Sequence, residues 1–178
     1  MTSVSGMSSP SLQAPWRMDY IRSLEKPDTN ACFLCDAGPC CEPDALRQRL
    51  ILWTTPLTVT LINRFPYTNG HLLISPRRHV AELELMTDEE GLDLHRQTVR
   101  AIELLRRAMN PQGFNIGINL GRAAGAGVPG HLHQHVVPRW SGDTNYMTVV
   151  GEVRVMPQAL SQLWDDLNKH VTAFGWRG

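Results

Sequence analysis

Two runs of apolar and β-branched residues, Leu57-Thr-Val-Thr-Leu-Ile62 and His71-Leu-Leu-Ile-Ser75, stand on either side of a turn rich in Pro, Asn and Gly. Runs of this length and composition are typical of β-strands. Pro66 to Gly70 supplies the turn residues, and Pro76 should stop the second run, so the simplest arrangement is a hairpin. This hairpin predicts that the fold contains an antiparallel sheet.

A long helix is predicted after the hairpin. Thr87 stands three residues before Glu90, the spacing of a capping box, in which each side chain satisfies a backbone N–H group at the start of a helix. The helix should run to about Met109 and end at Asn110-Pro111. A buried stripe is expected on one face at Leu92, Val99, Ile102, Leu105 and Met109.

The rest of the chain supplies two more strands and another helix. Residues 114–119 and 132–137 are predicted strands, the second ended by Pro138, with a glycine-rich loop at 121–130 between them. Pro157 suits the first turn of a final helix. The buried face of that helix is expected to consist of Leu160, Leu163, Trp164, Leu167, Val171 and Phe174. The order strand–strand–helix–strand–strand–helix indicates an α+β fold.

The length of the chain indicates how many domains it forms, and its net charge indicates which partners to expect. The 178 residues suggest a single domain. Because 17 basic and 17 acidic residues give no net charge, neither a nucleic-acid polymer nor a membrane surface is an expected partner. No run approaches about 18 apolar residues, which argues against a membrane-spanning helix. Residues 1–15 are rich in Ser, Gly and Pro and lack the pattern of a secretory signal, so we expect a disordered arm and a cytoplasmic protein.

Three of the seven histidines stand at alternate positions in His131-Leu-His133-Gln-His135, directly after the glycine-rich loop. Side chains alternate along a strand, so all three imidazoles should point to one face of the sheet. Glycines let backbone N–H groups approach an anion, so the loop is expected to hold phosphate against an imidazole. From the residues alone, the cluster either binds a metal or performs acid–base and nucleophilic chemistry.

The motif His-Leu-His-Gln-His-Val-Val at 131–137 resembles the signature of the histidine triad (HIT) family, and Asn63 followed by Gly70-His71-Leu-Leu-Ile resembles its other hallmark. The resemblance covers roughly residues 30–140, and the sequence around the triad is similar to the branch that contains bacterial diadenosine tetraphosphate phosphorylases. It implies an antiparallel sheet of about five strands, one long helix and a C-terminal helix. It also implies a homodimer, or a tetramer in this branch.

The resemblance further implies cleavage of a dinucleoside polyphosphate at its α-phosphate, through a covalent nucleotidyl-histidine that is passed to phosphate or water. His133 would be the nucleophile, His135 would contact phosphate oxygens, and His71 would support the cluster. Asn63 would bind the ribose hydroxyls. Phosphate contacts are expected from Asn119 and from Gly125, Ala126 and Gly127, where backbone amides replace the Gln-Ser or Gln-Thr pair of many relatives.

Cys32 and Cys35 form a Cys-x-x-Cys pair, which in a reducing compartment indicates a metal site or a redox pair. Zinc in a structural site takes four ligands. The resemblance to HIT proteins and to galactose-1-phosphate uridylyltransferases, some of which combine a Cys pair with two histidines, implies His79 and His131 as the other two. A structural zinc would then anchor an otherwise irregular segment. Two free thiols are the alternative.

The predicted organisation is a disordered arm at 1–15 and one HIT domain at 16–178, divided into an irregular zinc-binding segment (16–49), a catalytic core (50–140) and a C-terminal extension with its helix (141–178). Cys40 and Cys41 are taken as incidental. Two alternatives to the covalent mechanism stay open: a zinc-dependent hydrolase that uses the three histidines as ligands, and a nucleotide-binding regulatory protein with little turnover. The first would need carboxylate ligands, and the nearest acid after the triad is Asp143.

Overall fold

A five-stranded antiparallel sheet forms the centre of the computed structural model, which describes residues 32–37, 42–143 and 158–176. The strands are β1 (Ile51–Thr54), β2 (Thr58–Ile62), β3 (Leu72–Pro76), β4 (Gly113–Ile118) and β5 (Gln134–Arg139). They lie in the order β1-β2-β3-β5-β4. The described helices are α1 (Phe33–Asp36), α2 (Pro43–Gln48), α3 (Asp88–Met109) and α4 (Leu160–Ala173), with 3-10 turns at Leu83–Leu85 and Arg122–Ala124. The predicted α+β class is confirmed.

The predicted hairpin of β2 and β3 is also confirmed. The two strands pair antiparallel from Thr58 opposite Pro76 to Ile62 opposite Leu72, and every residue of both is buried. Gly70 ends the turn with φ +81°, and a Cβ added there would lie 2.7 Å from the sulfur of Met109. A side chain would be strained at this position. Glycine therefore lets the turn pack closely on α3 and brings the next residue, His71, to the start of β3.

The helix α3 begins with the predicted capping box. Thr87 Oγ1 accepts the N–H of Glu90, and the Glu90 carboxylate accepts the N–H of Thr87 at 2.9 Å. The helix ends at Asn110, which adopts the left-handed conformation with φ 48°. Asn tolerates this conformation better than most residues, so both ends of the helix agree with the sequence.

The buried face of α3 differs from the predicted stripe. Leu105 is buried and Ile102 and Met109 are partly buried, but Leu92 and Val99 are 50% and 54% exposed. The face that packs on the sheet instead includes polar residues whose side chains bond to other elements, namely Glu90 to Arg78, Gln97 to Trp53 and Thr98 to Gln134. A prediction from apolar periodicity assigns such polar residues to the solvent-exposed face. The predicted stripe is therefore rotated around the helix axis relative to the face that is buried.

The strand that follows the glycine-rich loop has different bounds from those predicted. It begins at Gln134, so His131 and His133 lie immediately before it. It also continues through Pro138 to Arg139, so the prediction that Pro138 ends it is wrong. β3 pairs with β5 only over Gln134 to Val136. Pro138 therefore lies where β4 is the one strand paired with β5. On the side of β5 that faces away from β4, the missing N–H of Pro138 costs no hydrogen bond to another strand.

Residues before the hairpin contain more regular structure than the sequence predicts. Helices α1 and α2 interrupt the segment predicted to be irregular, and they bury Leu34 and Leu46 in the core. β1 pairs with β2 at the edge of the sheet. Because β1 is a short apolar run, its periodicity alone does not separate a strand from a buried helix. Cys40 and Cys41 lie outside the described residues, as does the arm at 1–15.

The final helix, α4, packs against α3 and β1. Its predicted apolar face is confirmed: Leu163, Trp164, Leu167 and Val171 are buried, and Leu160 and Phe174 pack partly buried against the core. Trp164 Nε1 donates to the backbone oxygen of Ile51 at 2.7 Å, which ties the helix to the first strand. Pro157 lies outside the described residues. None of the helices in the described ranges combines the length and apolar character needed to cross a bilayer.

Candidate active site

The middle histidine of the triad, His133, is buried just before β5. Its Nδ1 lies 2.8 Å from the backbone oxygen of His131. Because a carbonyl oxygen can only accept, Nδ1 carries the proton and Nε2 keeps its lone pair. Burial lowers the pKa of His133, although its hydrogen bond to His131 acts in the opposite direction. His133 therefore has the features of a nucleophile, a neutral ring with an unprotonated Nε2.

The third histidine of the triad, His135, pairs with His71, the residue before the neighbouring strand β3. His71 Nε2 and His135 Nδ1 are 2.9 Å apart. His135 Nε2 is buried, and within the described ranges it has no hydrogen-bond partner. Burial, together with neighbouring His133, lowers the pKa of His135 to about 4. A buried nitrogen without a partner is costly, so this atom is suited to meet an oxygen of a bound ligand.

Two residues of the turn between β2 and β3 contact His71 from its other side. The backbone N–H of Tyr67 donates to His71 Nδ1 over 3.0 Å, and Asn63 Nδ2 lies 3.3 Å from the same atom. The Tyr67 ring also stacks on His135, with the ring centroids 5.7 Å apart. Sequence reasoning identified Asn63 but missed Tyr67, because a contact made by a backbone N–H leaves no signal in the type of residue.

Of the residues predicted to hold the nucleotide, Asn63 and Asn119 lie beside these histidines. Asn63 Oδ1 accepts the backbone N–H of Phe65, which fixes the side chain at the turn. Asn119 follows β4, whose last residue, Ile118, is opposite Gln134, so the register places Asn119 alongside His133. In the loop, the N–H groups of Gly125 and Ala126 donate to backbone oxygens of the loop itself. Two of the three loop amides predicted to serve a phosphate are therefore engaged within the loop itself.

Four potential metal ligands gather beside the triad. The ligand atoms of Cys32, Cys35, His79 and His131 all lie within 4.8 Å of one another. His131 Nδ1 is 3.2 Å from Cys32 Sγ and 3.4 Å from Cys35 Sγ, and His79 Nδ1 is 3.2 Å from Cys35 Sγ. Tetrahedral zinc bound by sulfur and nitrogen places its ligand atoms about 3.3–3.8 Å apart. The three distances are close to this range and all pairs lie within 4.8 Å, so small side-chain shifts would bring the four residues into a closed zinc site.

The environment of this cluster also favours a metal. His131 is fully buried, and its Nε2 donates to the backbone oxygen of Pro76 at 2.8 Å, so its Nδ1 is the atom left to bind a cation. Burial alone would raise the pKa of Cys32, but the proximity of His131 and backbone hydrogen bonds outweigh it and lower the pKa to about 6, whereas burial and the neighbouring Cys32 raise the pKa of Cys35 to about 11. A thiolate is the form that ligates zinc.

The histidines thus divide into two groups with different surroundings. The His131 ring faces the cysteines, whereas His135 contacts His71 and Tyr67, and the His133 ring contacts His135. Of the three alternating histidines, His131 is the one that belongs to the four-ligand cluster found in the described ranges. This separation disfavours a catalytic metal held by the whole triad.

The fold and the site together define a class: an α+β domain with a buried histidine whose Nε2 keeps its lone pair, beside a second, paired histidine. Comparison with known proteins agrees, because a HIT domain profile matches residues 47–142. The chain belongs to the HIT family.

Several relatives carry named activities. The chain is 40% identical over 152 residues to the AP-4-A phosphorylase of Mycobacterium tuberculosis, covering 84% of this chain and 77% of that protein. It is 35% identical over 97 residues to a bis(5'-adenosyl)-triphosphatase of Dictyostelium discoideum, covering 54% and 64%. A Zn-bound histidine triad family protein from Mycobacterium smegmatis superposes with a TM-score of 0.61 at 22% identity, covering 82% of this chain and 96% of that one. The structural likeness supports the fold.

Proposed function

We propose that the protein cleaves a phosphoanhydride at the α-phosphate of a dinucleoside polyphosphate such as diadenosine tetraphosphate, through a covalent nucleotidyl-histidine. The observation that carries this proposal is the hydrogen bond from His133 Nδ1 to the His131 backbone oxygen, because it leaves His133 Nε2 free to attack. The names of the phosphorylase and triphosphatase relatives support the substrate class.

In the first step, His133 Nε2 forms a bond to the α-phosphorus while the bond from that phosphorus to the bridging oxygen breaks. The departing group is the remaining nucleoside polyphosphate, and its oxygen takes the bonding electron pair. His135 contacts phosphate oxygens through Nε2 and stabilises the charge that develops there, while His71 supports it from just before β3. The product of this step is a phosphoramidate on His133.

In the second step, water or inorganic phosphate attacks the same phosphorus and the N–P bond breaks, which restores His133. Splitting one displacement into two lowers each barrier. With diadenosine tetraphosphate, water would give AMP and ATP in total, whereas phosphate would give ADP and ATP. Both acceptors use the same intermediate.

The nucleotide is held by residues around the triad. Asn63 binds the ribose hydroxyls, and Asn119 and Gly127 contact phosphate oxygens. Gly125 and Ala126 shape the loop beside the phosphates, since their own N–H groups serve the turn. His135 completes the phosphate contacts.

Cys32, Cys35, His79 and His131 hold a structural zinc ion. Four protein ligands close the coordination sphere, so the metal supplies stability and leaves no position for substrate. It ties α1 to the residues that precede β5. Because zinc needs reduced thiolates, the protein is expected to work in the cytoplasm.

The domain spans residues 16–178 and assembles as a homodimer, with a tetramer as the larger alternative. Exposed apolar side chains on α3 and on the edge strand β4 support this assembly, namely Leu92, Val99 and Ile116. Apolar surface of this kind is covered in the oligomers of many proteins.

Product analysis tests the proposed activity. Diadenosine tetraphosphate is incubated with the protein, with and without inorganic phosphate, and the nucleotides are separated by anion exchange. We expect ADP with ATP when phosphate is the acceptor, or AMP with ATP when water is. Binding of the dinucleotide without turnover would overturn the proposal and favour a regulatory nucleotide-binding protein.

A further inference from the structure

We propose that Tyr67 is a positioning residue that holds the third triad histidine in the tautomer needed to donate a hydrogen bond to phosphate. It acts through His71 and does not touch the reacting atoms. The role assigned to the phosphate rests on the proposed function, whereas the tautomer itself is a property of the protein alone.

A series of hydrogen bonds fixes the tautomers of His71 and His135. The backbone N–H of Tyr67 can only donate, so His71 Nδ1, 3.0 Å away, must accept. A neutral imidazole carries one proton, which places that of His71 on Nε2. His71 Nε2 then donates to His135 Nδ1 over 2.9 Å. By the same reasoning, His135 carries its proton on Nε2.

This series of hydrogen bonds ends at His135 Nε2, an atom that lacks a partner. His135 Nε2 is buried, and it has no hydrogen-bond partner among the described residues. Its ring centroid is 5.1 Å from that of His133, the proposed nucleophile. An N–H donor fixed at this place can meet an oxygen of the phosphorus under attack without first rearranging, which is the property of a preorganised site.

The Tyr67 ring packs against the imidazoles of both His71 and His135. It lies nearly parallel to the His135 ring, at 14° with centroids 5.7 Å apart, and is tilted by 38° on His71 at 4.7 Å. The ring packs against both imidazoles, while Tyr67 as a whole is 45% exposed. It therefore shields the pair from water, which could otherwise donate to or accept from either nitrogen and mix the tautomers.

Two substitutions separate the ring from the backbone contact. Tyr67→Leu keeps the N–H and most of the apolar bulk but removes the flat ring, whereas Tyr67→Phe keeps both. Phe174→Leu serves as the matched control, because it removes a partly buried aromatic ring that packs elsewhere on the core. Thermal unfolding of all three variants reports any general loss of stability.

Long-range proton–nitrogen NMR of the imidazole rings in the substrate-free protein gives the decisive readout. We expect the Nε2-protonated tautomer for His71 and His135 in the wild type, in Tyr67→Phe and in Phe174→Leu, and a mixture for His135 in Tyr67→Leu. In turnover, Tyr67→Leu should lower kcat by about tenfold with a smaller change in KM, and Tyr67→Phe should restore it.

The proposal is overturned if the wild type shows His135 protonated on Nδ1. It is also overturned if Tyr67→Leu keeps the wild-type tautomer and kcat and merely unfolds at a lower temperature. Failure of the proposed function is distinguishable, because a wild type without turnover of dinucleoside polyphosphates would leave the NMR result intact.

Discussion

The backbone oxygen of His131 accepts a hydrogen bond from His133 Nδ1 at 2.8 Å, while the ring of the same His131 faces Cys32 and Cys35. One residue therefore belongs to both the candidate metal site and the candidate active site, through different atoms. Ligation of the His131 ring would also hold the backbone oxygen that sets the tautomer of His133. Stability and catalysis can still be separated by substituting residues that belong to one site alone.

Substitution of His133 tests the covalent mechanism. His133→Asn should keep the fold and the metal content but lower turnover of diadenosine tetraphosphate by at least about a thousandfold, because it removes the attacking nitrogen. Mass spectrometry of a rapidly quenched reaction, kept free of acid, should find the nucleotidyl adduct on His133 in the wild type. His95→Asn, an exposed position on α3, is the control and should retain turnover. An adduct on another residue, or near-normal turnover of His133→Asn, would contradict the mechanism.

Removal of a metal ligand tests the zinc site. Protein purified without chelator should contain about one zinc per chain, and Cys32→Ala should lose it and unfold at a temperature lower by about 10 °C or more, because metal binding is coupled to folding. The measurements are elemental analysis and calorimetry. Cys40→Ala should keep both the zinc and the wild-type melting temperature. Zinc-free wild-type protein, or equal zinc loss in the two variants, would rule out the predicted ligand set.

Local patterns in the sequence predicted much of the fold. The hairpin and the capping box depend on neighbouring residues, and both are confirmed. The prediction of the buried face of α3 is partly wrong. Gln97 and Thr98 are buried and form hydrogen bonds with Trp53 and Gln134, which are distant in the sequence. Periodicity contains no information on such partners.

In the candidate site, too, features set by neighbouring residues can be predicted from the sequence, whereas contacts between distant residues cannot. The alternating histidines mark the triad directly, whereas the meeting of His79 and His131 with the cysteines was an expectation from family resemblance, since it joins residues up to 99 positions apart. The role of Tyr67 depends on a backbone N–H and on the stacking of a ring, and neither contact follows from the type of residue or its neighbours in the sequence.

A charged residue on α3 tests the assembly. Val99 is 54% exposed on the outer face of this helix, so Val99→Glu should place a carboxylate in the dimer interface and shift the protein to a monomer. Light scattering at micromolar concentration measures the mass. Leu83→Glu alters a leucine that is 44% exposed in a 3-10 turn and should leave the mass unchanged. A monomeric wild type would contradict the proposed homodimer, and a dimeric Val99→Glu would exclude this face.

The acid limb of the activity tests the environment of the histidines. His133 must be neutral to attack, and burial lowers its pKa and that of His135, the latter to about 4. A lowered pKa means that the neutral form persists below the ordinary value of about 6.5. The acid-side decline of kcat/KM should therefore have its midpoint below about pH 6.5. Circular dichroism at each pH separates this decline from acid unfolding. Half-maximal loss at about pH 6.5 or above, with the fold intact, would show that burial does not protect the neutral rings.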